Sequence, residues 1–514
     1  MNLSILSTEV KKIGGYQMEH LLPAFELLEQ GEFETELSNI KVYIRSFAKF
    51  ETASLVMVRD QSSKWLLALG HGKLMDELEG NLIQEGKKVC PLSHKNRLVL
   101  NRYFDYTVPQ AFGTNVATMG LGDRLGLASP GHIEAIRNKP IKPILAQQSI
   151  RELTLTGRTM DDVIDAASFA VFQEGYKGGF GADGDHLKKE SDIQSALDHG
   201  MTMLTLDCTD QIHLEIEGAS LEKIETEYNQ LPEKTQDYYN QHYLNKTFEL
   251  NGFSLTFDKG SLMKNVMLYH EAVSYMIHVY HNYIKKADHK VDFEVSIDET
   301  TTTTTPLTHF FVANELALAG VRVASLAPRF CGEFQKGIDY IGDLEQFEHD
   351  LKEHIVIAKH FGYKLSIHSG SDKFSVFPLI GEHTDGIFHL KTAGTNWLEA
   401  VRVIAEMKPA LYRKMHRYAF EHFEEALKYY HVTPDLTNIK DLDSVSDEQL
   451  SGYMDDIHAR QVFHVTYGLL LSAKDDNENY LFKDEFFAAL VEHENDYRNA
   501  LVHHIGRHLE YLGF

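Results

Sequence analysis

Two carboxylates and a histidine, Asp183, Asp185 and His186, close a short Gly-rich run, Gly178-Gly-Phe-Gly-Ala-Asp-Gly-Asp-His-Leu-Lys188. A second histidine ends a similar run far downstream, in Tyr363-Lys-Leu-Ser-Ile-His-Ser-Gly-Ser-Asp-Lys373. Imidazole and carboxylate ligands suit a divalent catalytic metal with an open position. His186 and His368 are therefore the first two candidate ligands. A third should come from a strand lying between them. The run Phe293-Glu-Val-Ser-Ile-Asp-Glu299 offers Glu299, with Asp298 as the alternative. Neighbours in a strand face opposite ways, so one of that pair is expected to point into the site. Asp185 is a candidate general acid/base beside the metal, where a charged neighbour tunes its pKa.

These residues need a scaffold that brings strand ends together. From about residue 116 to 395 the chain alternates apolar, strand-like runs with helical stretches, the mark of parallel α/β architecture. Eight runs qualify: Ala117–Gly122, Pro143–Gln147, Gly179–Asp183, Met203–Asp207, Phe293–Ile297, Val321–Leu326, Lys364–His368 and Ile387–Lys391. Eight is the count of a (β/α)8 TIM barrel, whose active sites lie at the C-terminal strand ends. Most of these runs end in polar residues, which suggests one shared site. The fold expected is an α/β barrel over residues 111–396. An N-terminal α+β accessory region (1–110) precedes it, with strands around Tyr43 and Trp65. A C-terminal helical region (397–514) follows, where apolar residues recur at helical spacing. Its histidines, His458, His464, His503, His504 and His508, are read as ordinary helix-face residues. His270, His278 and His281 are read the same way, on a helix from about 262 to 287. Thr300–Thr305 is read as a loop, with a helix starting near Pro306.

Three segments offer groups for an anionic substrate. Lys391-Thr-Ala-Gly-Thr-Asn-Trp397 leads from the last strand into a helix, so Lys391, Thr392, Asn396 and the helix N-terminus could take a carboxylate or phosphate. Ser369-Gly-Ser-Asp-Lys373 brings Ser369, Asp372 and Lys373. Pro328-Arg-Phe-Cys-Gly-Glu-Phe-Gln-Lys336 brings Arg329 and Lys336, and Arg suits bidentate carboxylate binding. Such local cations are required, because the 514-residue chain carries a formal charge of -25. That balance argues against nucleic acid and against an anionic membrane surface. Hydrophobic residues make up 43% of the chain, enough for a large core. Three widely spaced cysteines fit a reducing cytoplasm and exclude a cysteine zinc cluster. There is no Walker A run, and Gly120-Leu-Gly-Asp-Arg-Leu-Gly126 lacks the rest of a dinucleotide fingerprint, so no nucleotide cofactor is expected.

Five motifs carry a family resemblance over roughly residues 110 to 430. They are Gly120-Leu-Gly-Asp-Arg-Leu-Gly, Gly181-Ala-Asp-Gly-Asp-His-Leu-Lys, Pro328-Arg-Phe-Cys-Gly-Glu-Phe-Gln-Lys-Gly, Ser366-Ile-His-Ser-Gly-Ser-Asp-Lys-Phe and His389-Leu-Lys-Thr-Ala-Gly-Thr-Asn-Trp. Together they resemble the tagaturonate epimerase family. The resemblance implies a metal-dependent barrel that interconverts D-tagaturonate and D-fructuronate in hexuronate catabolism. It also implies substrate contacts from Asp183 and Lys188 and a part for Glu299 in catalysis or metal binding. Asp185-His186 and His368-Ser-Gly-Ser are similar, more distantly, to the metal motifs of class II ketose aldolases. Those use an all-histidine set, whereas here the middle strand ends in Asp298-Glu299. The metal, Zn, Ni, Mn or Co, is not distinguished. The two sugars differ at the carbinol carbon one position beyond the carbon α to the ketone. Retro-aldol/aldol chemistry is the expected route to inversion, and stepwise proton and carbonyl migration is the other. The alternatives to an epimerase are a class II-type aldolase and a non-catalytic aldolase partner subunit. The expected partner is a small sugar acid, and a homo-oligomer is a further expectation.

Overall fold

The computed structural model describes residues 18–30, 35–37, 39–61, 63–392 and 394–514. Its centre is a closed barrel of eight parallel strands: β1 (Ala117–Gly120), β2 (Ile141–Ser149), β3 (Gly181–Leu187), β4 (Met203–Asp207), β5 (Asp292–Ile297), β6 (Ser325–Pro328), β7 (Lys364–Ile367) and β8 (His389–Lys391). Each strand pairs with the next in sequence, and β8 closes on β1 with Lys391 opposite Gly120. All eight expected strands are present. Two are displaced along the chain. The third runs from Gly181 to Leu187, so it includes Asp183, Asp185 and His186 instead of stopping at the first. The sixth starts at Ser325, where parallel pairing with Glu294 begins, and Val321-Arg-Val-Ala324 is a connector.

Strand alternation divides the side chains into two sets. Phe293, Val295, Ile297, Leu204, Leu206, Leu365, Ile367 and Leu390 belong to one large apolar core shared with the surrounding helices. Alternate positions, Thr118, Asp183, Thr205, Glu294, Lys364, His389 and Lys391, bond across the lumen. Glu294 on β5 reaches Lys391 on β8, and Lys364 on β7 reaches Thr118 on β1. Neither pair of strands is adjacent, so these contacts can only cross the interior. Barrel interiors are ordinarily filled by layers of branched apolar side chains. This one is filled by a polar, charged ladder.

The additions frame the barrel. A six-stranded antiparallel sheet spanning Glu36–Pro91 packs one face on the barrel helix Met160–Gln173 through Phe169 and Phe172. Between β4 and β5 lie helices Leu221–Tyr228 and Glu233–Tyr243, a two-stranded ribbon and the long helix Lys259–Asn282. After β8, helices Thr395–Met407, Pro409–Glu421, Ile457–Ser472, Lys483–Glu492 and Glu494–Tyr511 build a separate core around Trp397. Among the described residues no helix is long and apolar enough to cross a membrane.

Glu494 joins the N-terminal sheet to the last helix. Its carboxylate lies 2.8 Å from Lys41 Nζ and 2.9 Å from Lys64 Nζ, and it accepts from Tyr43 at 2.9 Å. Burial opposes its charge, but Lys64 and Lys41 hold the carboxyl well below its ordinary value of 4.5. A carboxylate depressed on folding stabilises above its unfolded pKa, and that stability is lost as pH falls through the folded value. Glu494→Gln should lower stability at neutral pH by about 1–3 kcal/mol. Unfolding measured across pH should show the gap from wild type closing below pH 4.5. A gap independent of pH would contradict this assignment.

Candidate active site

At the C-terminal end of the lumen, Lys391 is buried among three carboxylates. Its Nζ lies 2.5 Å from Asp185 Oδ1, 3.2 Å from Asp183 Oδ2 and 3.1 Å from Glu294 Oε1. It also donates to Thr205 Oγ1 at 2.5 Å. Burial opposes the ammonium charge, but Asp183, Asp185 and Glu294 hold its pKa well above the usual lysine value. Burial likewise opposes charge on Asp185, and Lys391 and His186 outweigh it, so this carboxyl is held below the usual range. Asp183 is shifted the other way, by burial and by the neighbouring Asp185 and Glu294 charges.

Glu294 also fixes the first candidate ligand. Its Oε1 accepts from His368 Nε2 at 2.9 Å, and its Oε2 accepts from Ser325 at 2.5 Å. That leaves His368 Nδ1 facing Asp298 Oδ2 at 3.2 Å. His186 sits on β3 with φ 51, a left-handed conformation. This local reversal breaks the strand alternation, so Asp185 and His186 both face the site. The two imidazole rings stand 4.9 Å apart. His186 Nδ1 lies 3.7 Å from Asp207 Oδ2 and 3.9 Å from Glu299 Oε1. The Nδ1 atoms of both histidines are buried, each facing a carboxylate.

His186, Asp207 and Glu299 offer ligand atoms all within 4.8 Å of one another, so this group can hold a metal ion. The electrostatics agree. Burial opposes the charge on His368, yet Asp298 and Glu294 push its pKa up to about 10. His186 is raised too, by Asp185 and Asp207 against burial. A cluster that raises the pKa of both imidazoles is a cluster that favours positive charge. Two imidazoles with the carboxylates of Asp207, Asp298 and Glu299 make a donor set that fits a divalent cation. The Glu294–His368 pair is the kind of outer contact that orients a metal-binding imidazole.

The other residues picked from sequence are distributed differently. Asp298 and Glu299 both approach the histidines. β5 has ended at Ile297, so the alternation that would have separated them no longer applies. Arg329 donates its backbone N–H to Thr304 and Nη1 to Thr300 O at 2.5 Å, and so braces the loop that follows Glu299. Lys188 lies 3.6 Å from Asp207 and 3.2 Å from Asp210. Ser369, half-buried with φ 48, follows His368. Asp183 is fully buried, accepting from Gln147 and Thr205, so it underpins Lys391 and has no surface to offer a substrate. Lys391, bound by three carboxylates, is not an open carboxylate receptor. Lys373 donates to the carbonyls of Gln335, Ile338 and Ser371 and is fully buried. Asp372 pairs with Arg460 at 2.8 Å and His504 at 3.0 Å, while its N–H donates to His508. These last two residues latch the β7 loop to the β6 loop and to the C-terminal helices. Thr392 donates to Gly120 O and Asn396 Nδ2 to Gly122 O, each at 2.7 Å, fastening the end of β8 to that of β1. Lys336, half-buried, makes no hydrogen bond or ion pair among the described residues.

The model of a family described as UxaE, tagaturonate epimerase, matches residues 43–512. The chain belongs to the tagaturonate epimerase family. A tagaturonate/fructuronate epimerase of Thermotoga maritima is 41% identical over 480 residues, covering 92% of this chain and 97% of that protein. The native crystal structure of fructuronate-tagaturonate epimerase UxaE from Cohnella laeviribosi is 56% identical, with a TM-score of 0.93, over 96% of this chain and 99% of that one. Its complex with one glycerol gives a TM-score of 0.92 at the same identity.

In this member of the family, sequence reasoning passed over Glu294 and Asp207. A lone carboxylate inside the apolar run Phe293-Glu-Val was the available sign of the first. If Lys391 is the cation on which the lumen depends, Lys391→Met leaves three buried carboxylates without the cation they share. The expected cost is about 3–5 kcal/mol, read by chemical or thermal unfolding. A variant as stable as wild type would show that the ladder is not held by this charge.

Proposed function

We propose that this chain interconverts D-tagaturonate and D-fructuronate at the mouth of the barrel. The observation that carries the reading is the pair of buried imidazoles, each with its Nδ1 facing a carboxylate, set beside the ionised Asp185. His186 and His368, with the carboxylates of Asp207, Asp298 and Glu299 in reach, would hold a divalent metal. Bound there, it would polarise the substrate ketone and stabilise negative charge as that charge develops.

Asp185 is the base. It takes the hydroxyl proton of the carbinol carbon as the bond from that carbon to the α-carbon breaks. The bonding electrons pass to the α-carbon, giving an enediolate, and the carbinol becomes an aldehyde. The aldehyde turns, the enediolate adds to its other face, and Asp185 returns the proton to oxygen. Lys391 keeps Asp185 ionised and fixed at 2.5 Å. Held as an ammonium, Lys391 is no amine nucleophile, so a Schiff-base route finds no support here. Free Cys90, Cys208 and Cys331 are in keeping with a cytoplasmic enzyme.

Purified protein, loaded with a divalent metal and given D-tagaturonate, should yield D-fructuronate by NMR, and chelation should stop the reaction. Accumulation of free three-carbon fragments would favour an aldolase instead. His186→Ala and His368→Ala should each lose bound metal by elemental analysis. Wild-type metal content and activity in both would reject the site. Asp185→Asn should keep its metal but lose about 10²- to 10⁴-fold in rate, the range for a general acid/base. Near-normal turnover would remove Asp185 from the mechanism.

A further inference from the structure

A second cluster at the barrel mouth is electrically opposite to the metal cluster. Arg124 follows β1 and is 2% exposed. Its Nε and Nη2 donate to Glu152 Oε1 at 2.7 and 2.5 Å, and its guanidinium stacks 4.0 Å from the Tyr467 ring centre. Its third nitrogen, Nη1, is buried without a partner among the described residues. His464, from the C-terminal helix Ile457–Ser472, is fully buried, and neither ring nitrogen has a partner. Gly394 caps the helix Thr395–Met407 with φ 105 and no side chain bonded to its N-terminus. A Cβ at Gly394 would lie 2.8 Å from His464 Nε2 and 3.0 Å from Arg124 Cζ. The helix N-terminus, the Arg124 guanidinium and the His464 imidazole are therefore packed together, with no room for a side chain at Gly394. Lys336 adds an unpaired amine. Its neighbour Gly337 packs on His464, where a Cβ would lie 3.5 Å from the His464 Cβ; burial lowers the Lys336 pKa, with Arg124, Glu152 and Asp185 among the charges acting on it.

Glu152 already pairs with Arg124, and Lys336 has no ion pair of its own among the described residues. Burial, Arg124 and Lys336 together hold His464 neutral, so it offers one N–H. A buried surplus of donors and cations is costly unless an anion completes it. We infer that Arg124, Lys336, His464 and the N-terminus of helix Thr395–Met407 bind the carboxylate of the hexuronate. This rests on the function proposed above and extends it. The metal cluster engages the ketone end, and this cluster engages the acid end and selects sugar acids over neutral ketoses. A planar carboxylate suits Arg Nη1, an ammonium, an imidazole N–H and backbone N–H groups together. Lys336 and the helix N-terminus thus keep the role expected from sequence, whereas Arg124 and His464 are new to it.

Lys336 is the variant of choice, because it bonds to nothing the fold needs. Lys336→Ala should raise KM for D-tagaturonate about 10- to 100-fold, the range for one charge-assisted hydrogen bond, with a smaller change in kcat. Lys336→Arg should recover most of the loss, and His464→Phe should raise KM in the same sense. An unchanged KM, or a loss confined to kcat, overturns the assignment. Calorimetry with D-gluconate tests the cluster without turnover, so a failed epimerase assay remains distinguishable from a failed pocket. Gluconate should bind wild type about tenfold or more tightly than Lys336→Ala. Equal affinities, no gluconate binding to wild type, or inorganic phosphate binding tighter than gluconate, would each overturn a carboxylate site.

Discussion

An ammonium buried in a barrel is tolerated only if its surroundings neutralise it, and Lys391 imposes that condition on this structure. Asp183, Asp185 and Glu294 supply the compensation from two other strands. Each of them then has consequences. Asp183 is held by Gln147 and Thr205 and spends its capacity below the mouth. Asp185 stays ionised, which is the state a base requires. Glu294 shares one oxygen between Lys391 and His368, so it orients the imidazole and leaves Nδ1 turned toward Asp298. Asp185 and His368 are therefore positioned by the same cation.

The rest of the chain makes this arrangement durable. Strand alternation sends apolar side chains outward to the helices and polar ones inward, so a charged lumen costs no outer packing. The loops that carry the site are tied from outside the barrel. Lys373 fastens the β7 loop to the β6 loop, and Asp372 fastens it to Arg460, His504 and His508 on the last helices. Asp372, His504 and His508 also have ligand atoms close enough to hold a metal. Arg460 already occupies one Asp372 oxygen, and the Asp372 N–H occupies His508 Nε2, so the trio acts as a clasp. The C-terminal helices are thus part of the site's support and, through His464, part of its wall.

The barrel and the meeting of His186 and His368 at its C-terminal end were legible because their signals are local. Strand runs, the polar residues that end them and the His186 and His368 motifs can be read in short windows. Pairing was not legible. Lys391, Lys373 and Asp372 look like substrate-binding residues in sequence, because residue type shows a charge but not what already neutralises it. Asp298 and Glu299 were set against each other by strand alternation, which lapses where the strand ends at Ile297. His464 gave no sign, because its place beside Arg124 depends on how a distant helix packs against the end of β1. Glu294 was hidden among apolar neighbours, although a single acid in such a run is itself a warning that the interior is not apolar.

The central claim is that Asp185 moves a hydroxyl proton while a carbon–carbon bond opens and closes. The inverted carbon then never loses its own hydrogen. The direct measurement is epimerisation of D-tagaturonate by the metal-loaded wild-type protein in deuterated water, with the D-fructuronate formed examined by NMR. Protium retained at the inverted carbon is the predicted result. Deuterium at that carbon would contradict the account and require proton abstraction there.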